Sequence, residues 1–346
     1  MPPITKRLLL SSLLVAAVLP LIGCANSSTT QQQAWDSRAI PRGQALAAAV
    51  GIPEADAYEA RDLQWQDASR QRAVPARLYL PKDAKLRAPL VIFSHGIGGS
   101  REGYSYIGKY LAASGVAALH VQHVGSDRSL WFGNPIQMVS RLQDAAKETE
   151  AIDRSKDMRF ALDQLLSDAQ FAPRLDVQRI AAAGHSYGAN TTLLLAGAQV
   201  LRDGKRMDLA DPRIKAAVII SAPPFYGEGD TKAILQGIRV PSLHITATGD
   251  EIKIPGYYSS AQDRVAMYEA ASSQNGKMLA VFKEGSHSMF TDRLGTGGEV
   301  LNPQVKKATR ELMLAFLQNQ LLGDTKALAA WPQLHAPLVA RFEQKL

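Results

Sequence analysis

The 346-residue sequence has a single cysteine, so the chain alone can form no disulfide, no cysteine-based zinc site and no cysteine-ligated iron–sulfur cluster. It lacks any run of five lysines or arginines, and its net charge of +7 therefore does not indicate a nucleic-acid-binding groove. Its apolar runs stay shorter than the ~20 residues that cross a bilayer as a helix. With 46% apolar and 21% charged residues, the composition is that of a globular protein.

The N-terminus has the pattern of a secretory signal. Lys6 and Arg7 precede an uncharged stretch over residues 8–22, and the sequence Leu-Ile-Gly-Cys then ends at Cys24. This ending resembles the bacterial lipoprotein signal, in which cleavage leaves a lipidated cysteine as the first mature residue. We therefore expect residues 1–23 to be a lipoprotein signal peptide and Cys24 to carry the lipid. The alternative is an uncleaved anchor, or an ordinary signal peptide with a chance cysteine.

The residues after the cysteine predict a tether and a location. Residues 24–35 are polar and low in complexity, which favours a solvated linker between the lipid and the following domain. Ala25 is not the aspartate that commonly retains lipoproteins at the inner membrane. The resemblance therefore implies a lipid-anchored protein of the bacterial cell envelope, at the outer membrane and facing the periplasm or the exterior.

Short apolar runs alternate with amphipathic stretches along the rest of the chain. The predicted strands are residues 76–80, 90–93, 116–121, 180–183, 216–220, 243–246 and 278–282. The predicted helices are residues 104–113, a long one within 135–169, and residues 191–201, 260–271 and 304–321. Several strands are apolar throughout, as parallel strands covered on both faces are. The pattern predicts an α/β fold with a mostly parallel central sheet and helices on both faces.

The sequence Gly184-His185-Ser186-Tyr187-Gly188 fits the G-x-S-x-G pattern of a nucleophile elbow. A predicted strand ends just before it and a predicted helix follows it, which is the strand–turn–helix context that the motif needs. The glycines suit such a turn because a Cβ at either position would collide with neighbouring backbone. Ser186 is therefore the candidate nucleophile. An ordinary strand–helix turn with a capping serine is the alternative.

A second glycine-rich turn, His95-Gly-Ile-Gly-Gly99, follows another predicted strand. Such a turn can direct backbone N–H groups at a developing oxyanion. The candidate donors are the N–H groups of Ile97 and of Tyr187, the residue after the nucleophile. We expect His95 to brace the loop. The turn could equally hold a phosphate, although the G-x-G-x-x-G dinucleotide pattern is absent from it.

The candidate base and acid follow the serine in the order that this topology requires. His287 lies in a loop after the last apolar strand, whereas His335 lies in a proline-flanked tail where a surface position is expected. Asp250 directly follows the strand over residues 243–246 and is the candidate acid that orients the base. Competing carboxylates are Glu251, Glu228 and Asp230, the last two lying several residues beyond the strand over 216–220.

Together these motifs resemble an α/β-hydrolase. The segment FSHGIGGSREGYSYIGKYLAASGVAALHVQH and the motif GHSYGA are similar to the branch that contains platelet-activating-factor acetylhydrolases, dienelactone-hydrolase-like esterases and chlorophyllases. The resemblance implies a single α/β-hydrolase catalytic domain over residues 36–346, with the triad Ser186, Asp250 and His287. One departure is that the acetylhydrolases place their acid after the strand that corresponds to residues 216–220, where this chain has Ser-Ala-Pro-Pro.

The expected function is that of a membrane-tethered serine esterase that acts through an acyl-enzyme, with a small-molecule ester as substrate and no nucleic acid as partner. No cofactor is implied and no metal-ligand cluster is expected. The alternatives are an acyltransferase or perhydrolase with the same triad, or a non-catalytic envelope lipoprotein that binds a ligand. Covalent labelling of the serine separates the enzymes from the binding protein.

Two further sets of residues carry expectations. The acidic residues of the helix predicted within 135–169 are expected to form a solvated face with i,i+4 pairs: Asp144, Glu148, Glu150, Asp153 and Asp157. Six aromatic residues could line a substrate pocket or pack in the core instead: Trp131, Phe132, Phe225, Tyr226, Tyr257 and Tyr258.

Overall fold

The computed structural model describes residues 56–82, 86–134, 137–202, 205–254, 256–293, 296, 298 and 300–346. These residues all belong to the compact unit Ala45–Leu346. The predicted signal peptide, Cys24 and the predicted tether lie outside the described residues, as does the start of the predicted catalytic domain.

A nine-stranded sheet forms the centre of the described chain, in the order β1-β2-β4-β3-β5-β8-β9-β10-β11. The strands are β1 (Tyr58–Asp67), β2 (Arg72–Pro81), β3 (Ala88–Ser94), β4 (Ala117–Val121), β5 (Leu175–His185), β8 (Ile214–Ile220), β9 (Ser242–Ala247), β10 (Lys277–Phe282) and β11 (Val339–Lys345). Strands β6 (Gln199–Arg202) and β7 (Lys205–Asp208) pair separately as an antiparallel hairpin.

The central strands of the sheet are parallel. Strands β4, β3, β5, β8, β9 and β10 pair in parallel, while β1, β2 and β11 pair antiparallel at the edges. Parallel strands end at one common edge of the sheet, where α/β proteins bind their ligands. This topology confirms the predicted α/β fold class with a mostly parallel sheet.

Helices cover both faces of the sheet. They are α1 (Ser105–Ala113), α2 (Met138–Ala145), α3 (Glu148–Ser167), α4 (Tyr187–Ala196), α5 (Thr231–Leu235), α6 (Ala261–Ala270), α7 (Leu301–Leu317) and α8 (Lys326–His335). Alternate residues of β3 divide between the two cores: Val91 and Phe93 pack with α1 and α7, and Leu90 and Ile92 pack with α3. No described helix is both long enough and apolar enough to cross a lipid bilayer.

Each of the seven predicted strands overlaps a strand of the structure, but some predicted elements differ. The helix predicted over residues 191–201 starts earlier and ends at Ala196, and residues 199–202 form β6 instead. Gly197 ends this helix in the left-handed region (φ 114°), where its Cβ position lies 2.3 Å from the carbonyl oxygen of Gly237. Only glycine is tolerated there, so the chain turns.

Two other expectations are corrected by burial. Glu150 and Asp157 are buried, not solvated, because Arg72 from strand β2 forms ion pairs with both carboxylates at 3.0 Å. His335 is also buried: its Nε2 donates a 2.8 Å hydrogen bond to Glu311 Oε2, and its ring packs on Trp331. The tail that carries it returns to the sheet as β11, which sequence periodicity did not predict.

Candidate active site

Ser186 lies at the sharp turn between β5 and α4. Its φ of 56° and ψ of −124° are unusual for a residue with a side chain. A Cβ on Gly184 would lie 2.2 Å from the carbonyl oxygen of Gly188, and a Cβ on Gly188 would lie 2.0 Å from that of Ser94. The two glycines of the motif therefore permit the close packing that holds Ser186 in this strained conformation.

The structure brings Ser186, His287 and Asp250 into one hydrogen-bonded chain. His287 Nε2 is 2.8 Å from Ser186 Oγ, and His287 Nδ1 is 2.7 Å from Asp250 Oδ1. Asp250 follows β9 and His287 lies in a short helical turn after β10, so neighbouring strand ends deliver both groups to the serine. Both distances allow direct proton transfer and orientation of the imidazole ring.

Asp250 is completely buried and surrounded by groups that favour its charged form. Thr246 Oγ1 donates a 2.7 Å hydrogen bond to its second carboxylate oxygen. Burial alone would raise the pKa of Asp250, but the facing His287 ring and the Arg264 guanidinium outweigh burial and hold the pKa well below its usual range. The carboxylate is therefore ionised wherever the protein is folded near neutral pH.

The other candidate carboxylates have different partners. Glu228 pairs with Arg202, Glu251 pairs with Lys253 at 2.9 Å, and Asp230 accepts a hydrogen bond from Ala233 N at the start of α5. Of the four acids considered in the sequence, the structure brings only Asp250 to His287.

Arg264 is a component of the site that sequence reasoning missed. It is only 3% exposed, and its Nε lies 3.5 Å from Asp250 Oδ1. Its three guanidinium nitrogens have no hydrogen-bond partner within the part of the chain that the structure describes. Arg264 therefore acts on Asp250 through charge, not through a hydrogen bond. It lies on α6, 14 residues after Asp250 in the sequence, and no motif marks it.

We expect Arg264→Met to move the acid limb of the kcat/KM profile toward higher pH, by about one unit. Without the cation a proton on the Asp250–His287 pair becomes more favourable, so activity is lost sooner as pH falls. Methionine has a similar length and Arg264 donates no hydrogen bond, so the fold is expected to tolerate the change. The measurement is kcat/KM against pH, with the exposed Arg239→Met as control. An acid limb that stays in place would refute this role of Arg264.

The two candidate oxyanion donors lie beside Ser186. Tyr187 is the first residue of α4, so its N–H has no acceptor within its own helix. The N–H of Ile97 has no backbone acceptor in the described ranges, and the turn after it is closed by Gly98 N donating to Ser126 O at 2.8 Å. Both N–H groups are consequently available for a ligand.

His95 braces the glycine-rich turn, as expected from the sequence. Its Nδ1 is 2.7 Å from the Gly96 carbonyl oxygen, and its Nε2 accepts a 3.1 Å hydrogen bond from His123 N. Burial, followed by the charge of Arg154, holds the pKa of His95 well below its usual range. The ring is therefore neutral, with one nitrogen donating and the other accepting.

His185, the second residue of the elbow motif, links the oxyanion turn to the base, and sequence reasoning assigned it no role. Its Nε2 donates to the carbonyl oxygen of His287 at 3.0 Å, and its Nδ1 accepts from the Tyr104 hydroxyl at 2.8 Å. The same hydroxyl accepts a 3.2 Å hydrogen bond from Gly96 N. Burial keeps the pKa of His185 well below its ordinary value, so the ring is neutral and its tautomer is set by these bonds.

A mostly apolar cavity of about 160 Å³ opens at Ser186. Its lining includes Ile97, Tyr187 and three of the six candidate aromatic residues, namely Phe225, Tyr226 and Tyr257. The other three aromatic residues do not line it: Trp131 donates through its indole N–H to Gly98 O, and Phe132 and Tyr258 are mostly exposed.

The grouping of the described side chains also bears on whether they could bind a metal ion. No three His, Cys, Asp or Glu side chains among these residues are grouped so that they could hold a metal ion. The histidines near the site have other partners: His95 bonds to the glycine-rich turn, and His185 and His287 bond as described above.

The matches to known proteins include a family model and a curated relative. The family model described as "Platelet-activating factor acetylhydrolase, isoform II" matches residues 70–134, which contain β2, β3, β4 and the glycine-rich turn. A curated relative from Cavia porcellus, named "Platelet-activating factor acetylhydrolase", is 24% identical over 292 residues. That match covers 75% of this chain and 64% of the relative, so the chain spans less than two thirds of the relative's length.

Proposed function

We propose that the chain is a serine hydrolase of the α/β-hydrolase class that cleaves carboxylic esters through an acyl-enzyme, and its similarity to platelet-activating factor acetylhydrolases supports this proposal. The observation that carries the proposal is the continuous hydrogen-bonded chain from Ser186 Oγ through His287 to Asp250, at 2.8 and 2.7 Å. It supplies a nucleophile, a base and an orienting acid in the order that acyl transfer requires.

In this proposal His287 Nε2 takes the hydroxyl proton of Ser186 as Oγ attacks the ester carbonyl carbon. The carbonyl oxygen becomes the oxyanion and accepts hydrogen bonds from the N–H groups of Ile97 and Tyr187. Collapse of this intermediate breaks the C–O bond, and His287 gives its proton to the departing alcohol. The acyl group stays on Ser186.

The second half of the reaction repeats these roles with water. His287 removes a proton from water, the resulting attack forms a second oxyanion, and collapse releases the carboxylic acid while Ser186 regains its proton. Asp250 holds the imidazole ring in the required tautomer and stabilises its charged form in both halves. The proposal needs no metal and no cofactor.

The size and the apolar lining of the cavity favour an ester with a small apolar group. An apolar cavity of about 150 Å³ holds a ligand the size of benzene. The cavity at Ser186 has a volume of about 160 Å³ and a mostly apolar lining. We therefore propose that the ester carries a compact hydrocarbon group of that size next to its carbonyl, and that long unbranched chains extend into solvent.

A fluorophosphonate probe tests the proposal directly. It should label the protein on Ser186, located by peptide mapping, and the label should be lost when the protein is preincubated with an ester substrate. A panel of esters with graded acyl groups then measures the substrate preference. Labelling of another residue, or no labelling of the folded protein, would contradict the proposal. A product formed with an added alcohol in place of water would identify a transferase that uses the same triad.

We also propose that the protein is anchored to the bacterial cell envelope by lipid on Cys24. This proposal rests on the resemblance of residues 1–24 to a lipoprotein signal. Several acyl chains would hold it firmly, since each buried CH₂ contributes about 0.8 kcal/mol. The polar residues 24–35 would then separate the domain from the membrane surface.

The change Cys24→Ala should release the protein from the membrane fraction or block processing of its precursor. Radiolabelled fatty acid should be incorporated into the wild-type chain and not into this variant. The neighbouring Ser27→Ala serves as control and should keep both the label and the membrane location. A wild-type chain without label would exclude lipid attachment.

A further inference from the structure

Arg154 is a buried arginine that no part of the proposed mechanism uses. It lies in α3 and its side chain is completely shielded from solvent. All of its guanidinium nitrogens are hydrogen-bonded: Nε donates to Thr191 Oγ1 at 3.1 Å, Nη1 donates to Ser126 Oγ at 2.7 Å, and Nη2 donates to Ser94 Oγ at 3.0 Å and to the His95 carbonyl oxygen. A guanidinium group with hydrogen bonds from every nitrogen is held in one orientation.

These partners belong to the two segments that carry the candidate oxyanion donors. Ser94 and His95 end β3 and lead into the turn that contains Ile97. Thr191 lies in α4, one turn after Tyr187, and the Arg154 guanidinium also lies 4.5 Å from the centre of the Tyr187 ring. A single side chain therefore connects the segment before one donor with the helix that begins at the other.

The charge of Arg154 has no carboxylate directly beside it. In the described part of the chain no acidic oxygen lies within ion-pair distance of its guanidinium; Glu150 is reached only through Ser126, whose hydroxyl donates to Glu150 Oε1 at 2.7 Å. Arg72 pairs with Glu150 and Asp157 instead. A buried cation without an adjacent carboxylate favours negative charge nearby, and the oxyanion is the negative charge that the reaction creates.

We propose that Arg154 is the positioning residue of the oxyanion hole: it locks the turn that carries Ile97 to the helix that carries Tyr187, so that both N–H groups stay aimed at the oxyanion. This inference rests on the proposed serine-hydrolase function. Arg154 touches neither the serine nor the substrate and acts through the two donor segments. Its effect is therefore expected on the oxyanion-bearing states and not on the binding of the intact ester.

The test compares Arg154→Met and Arg154→Lys with the wild type and with Arg159→Met. Arg159 lies on the same helix, is partly exposed, and is 3.9 Å from Asp211, so its replacement controls for the loss of one positive charge from α3. The rate kcat is measured per active site counted by fluorophosphonate titration, so that misfolded molecules do not enter it. A trifluoromethyl ketone, whose adduct with Ser186 carries an oxyanion, is used as inhibitor.

For Arg154→Met we expect kcat per titrated site to fall by about 10²-fold, the cost of losing one oxyanion donor, with KM within about threefold of the wild type. The inhibition constant of the trifluoromethyl ketone should rise by the same factor as kcat/KM falls. Arg154→Lys keeps the positive charge but cannot bond to all of the partners of the guanidinium group, so its kcat should lie between those of Arg154→Met and the wild type. Arg159→Met should leave all three quantities unchanged.

A purely structural role would give a different result. It would lower the melting temperature or the number of titrated sites, while kcat per site and the inhibition constant would stay at wild-type values; that outcome overturns the proposal. If Arg154→Met does not fold, Thr191→Val carries the test, since it keeps the side chain's shape while it removes the hydroxyl that accepts from Arg154 Nε and donates to the Tyr187 carbonyl oxygen. It should lower kcat per site and inhibitor affinity by the same factor, about tenfold or less.

The failure of this inference can be distinguished from that of the proposed function. If Ser186→Ala keeps full esterase activity, the serine mechanism itself is wrong. If Ser186→Ala is inactive while Arg154→Met and Thr191→Val hydrolyse esters and bind the ketone like the wild type, the serine mechanism stands and only the role of Arg154 is refuted.

Discussion

The variant Ser186→Ala is expected to lose esterase activity by about 10⁴–10⁶-fold in kcat while the fold stays intact. The loss is large because the members of a triad act as a unit: without Oγ, the imidazole of His287 has no nucleophile to activate and no acyl-enzyme forms. Alanine also removes the hydroxyl from a strained turn that the backbone of Gly184 and Gly188 defines, so the surrounding packing does not depend on it.

The measurement is steady-state hydrolysis of a chromogenic ester by the purified protein, with circular dichroism and thermal unfolding as checks on the fold. Ser129→Ala is the matched control, because Ser129 is an exposed serine in the loop after β4. It should retain wild-type turnover. Turnover by folded Ser186→Ala close to that of the wild type would end the serine-hydrolase proposal.

The second large effect is expected for Asp250→Asn, which should lower kcat by about 10⁴-fold, the loss seen when a triad aspartate becomes asparagine. An asparagine amide placed against His287 Nδ1 favours the wrong tautomer, so Nε2 carries a proton and cannot accept one from Ser186. The substitution is nearly isosteric, and the hydrogen bond from Thr246 can still be accepted by the amide oxygen.

Three carboxylate variants control for this result: Glu228→Gln, Asp230→Asn and Glu251→Gln. Each should lower kcat by less than about tenfold, because each of these groups pairs with a partner other than His287. A crippled Glu228→Gln or Asp230→Asn together with an active Asp250→Asn would move the acid to the loop after β8. The chain would then follow the acetylhydrolase arrangement at this position.

The α/β architecture and the candidate triad were accessible from the sequence because their signals are local. Continuous apolar runs specify strands that are buried on both faces, and the G-x-S-x-G pattern needs only five adjacent residues and their flanking elements. Asp250 and His287 could be chosen because each directly follows a predicted strand, and parallel strands end at the same edge of the sheet. The sequence alone therefore determined the fold class and which strand ends supply the three groups.

The edge strands β1 and β11 were harder to predict from the sequence. Strand β1 mixes charged and apolar residues because half of it is exposed to solvent, and β11 (VARFEQK) also mixes them and has no fully buried residue. Their strand conformation depends on antiparallel pairing, of β1 with β2, which follows it in the chain, and of β11 with β10, which lies far earlier in the chain. Periodicity in one segment carries no information about such pairing.

Only the tertiary structure decided which polar residues surround the candidate triad. Arg154, Arg264 and Tyr104 reach the site from helices or turns that are far from the nucleophile in sequence. His185 is adjacent to Ser186, but its partners Tyr104 and His287 come from distant parts of the chain. The same is true of Glu150 and Asp157, whose acidic pattern predicts a solvated face but which form ion pairs with Arg72 of β2. Composition and spacing along a helix specify which face is polar, but whether that face meets water or a buried arginine is set by long-range packing.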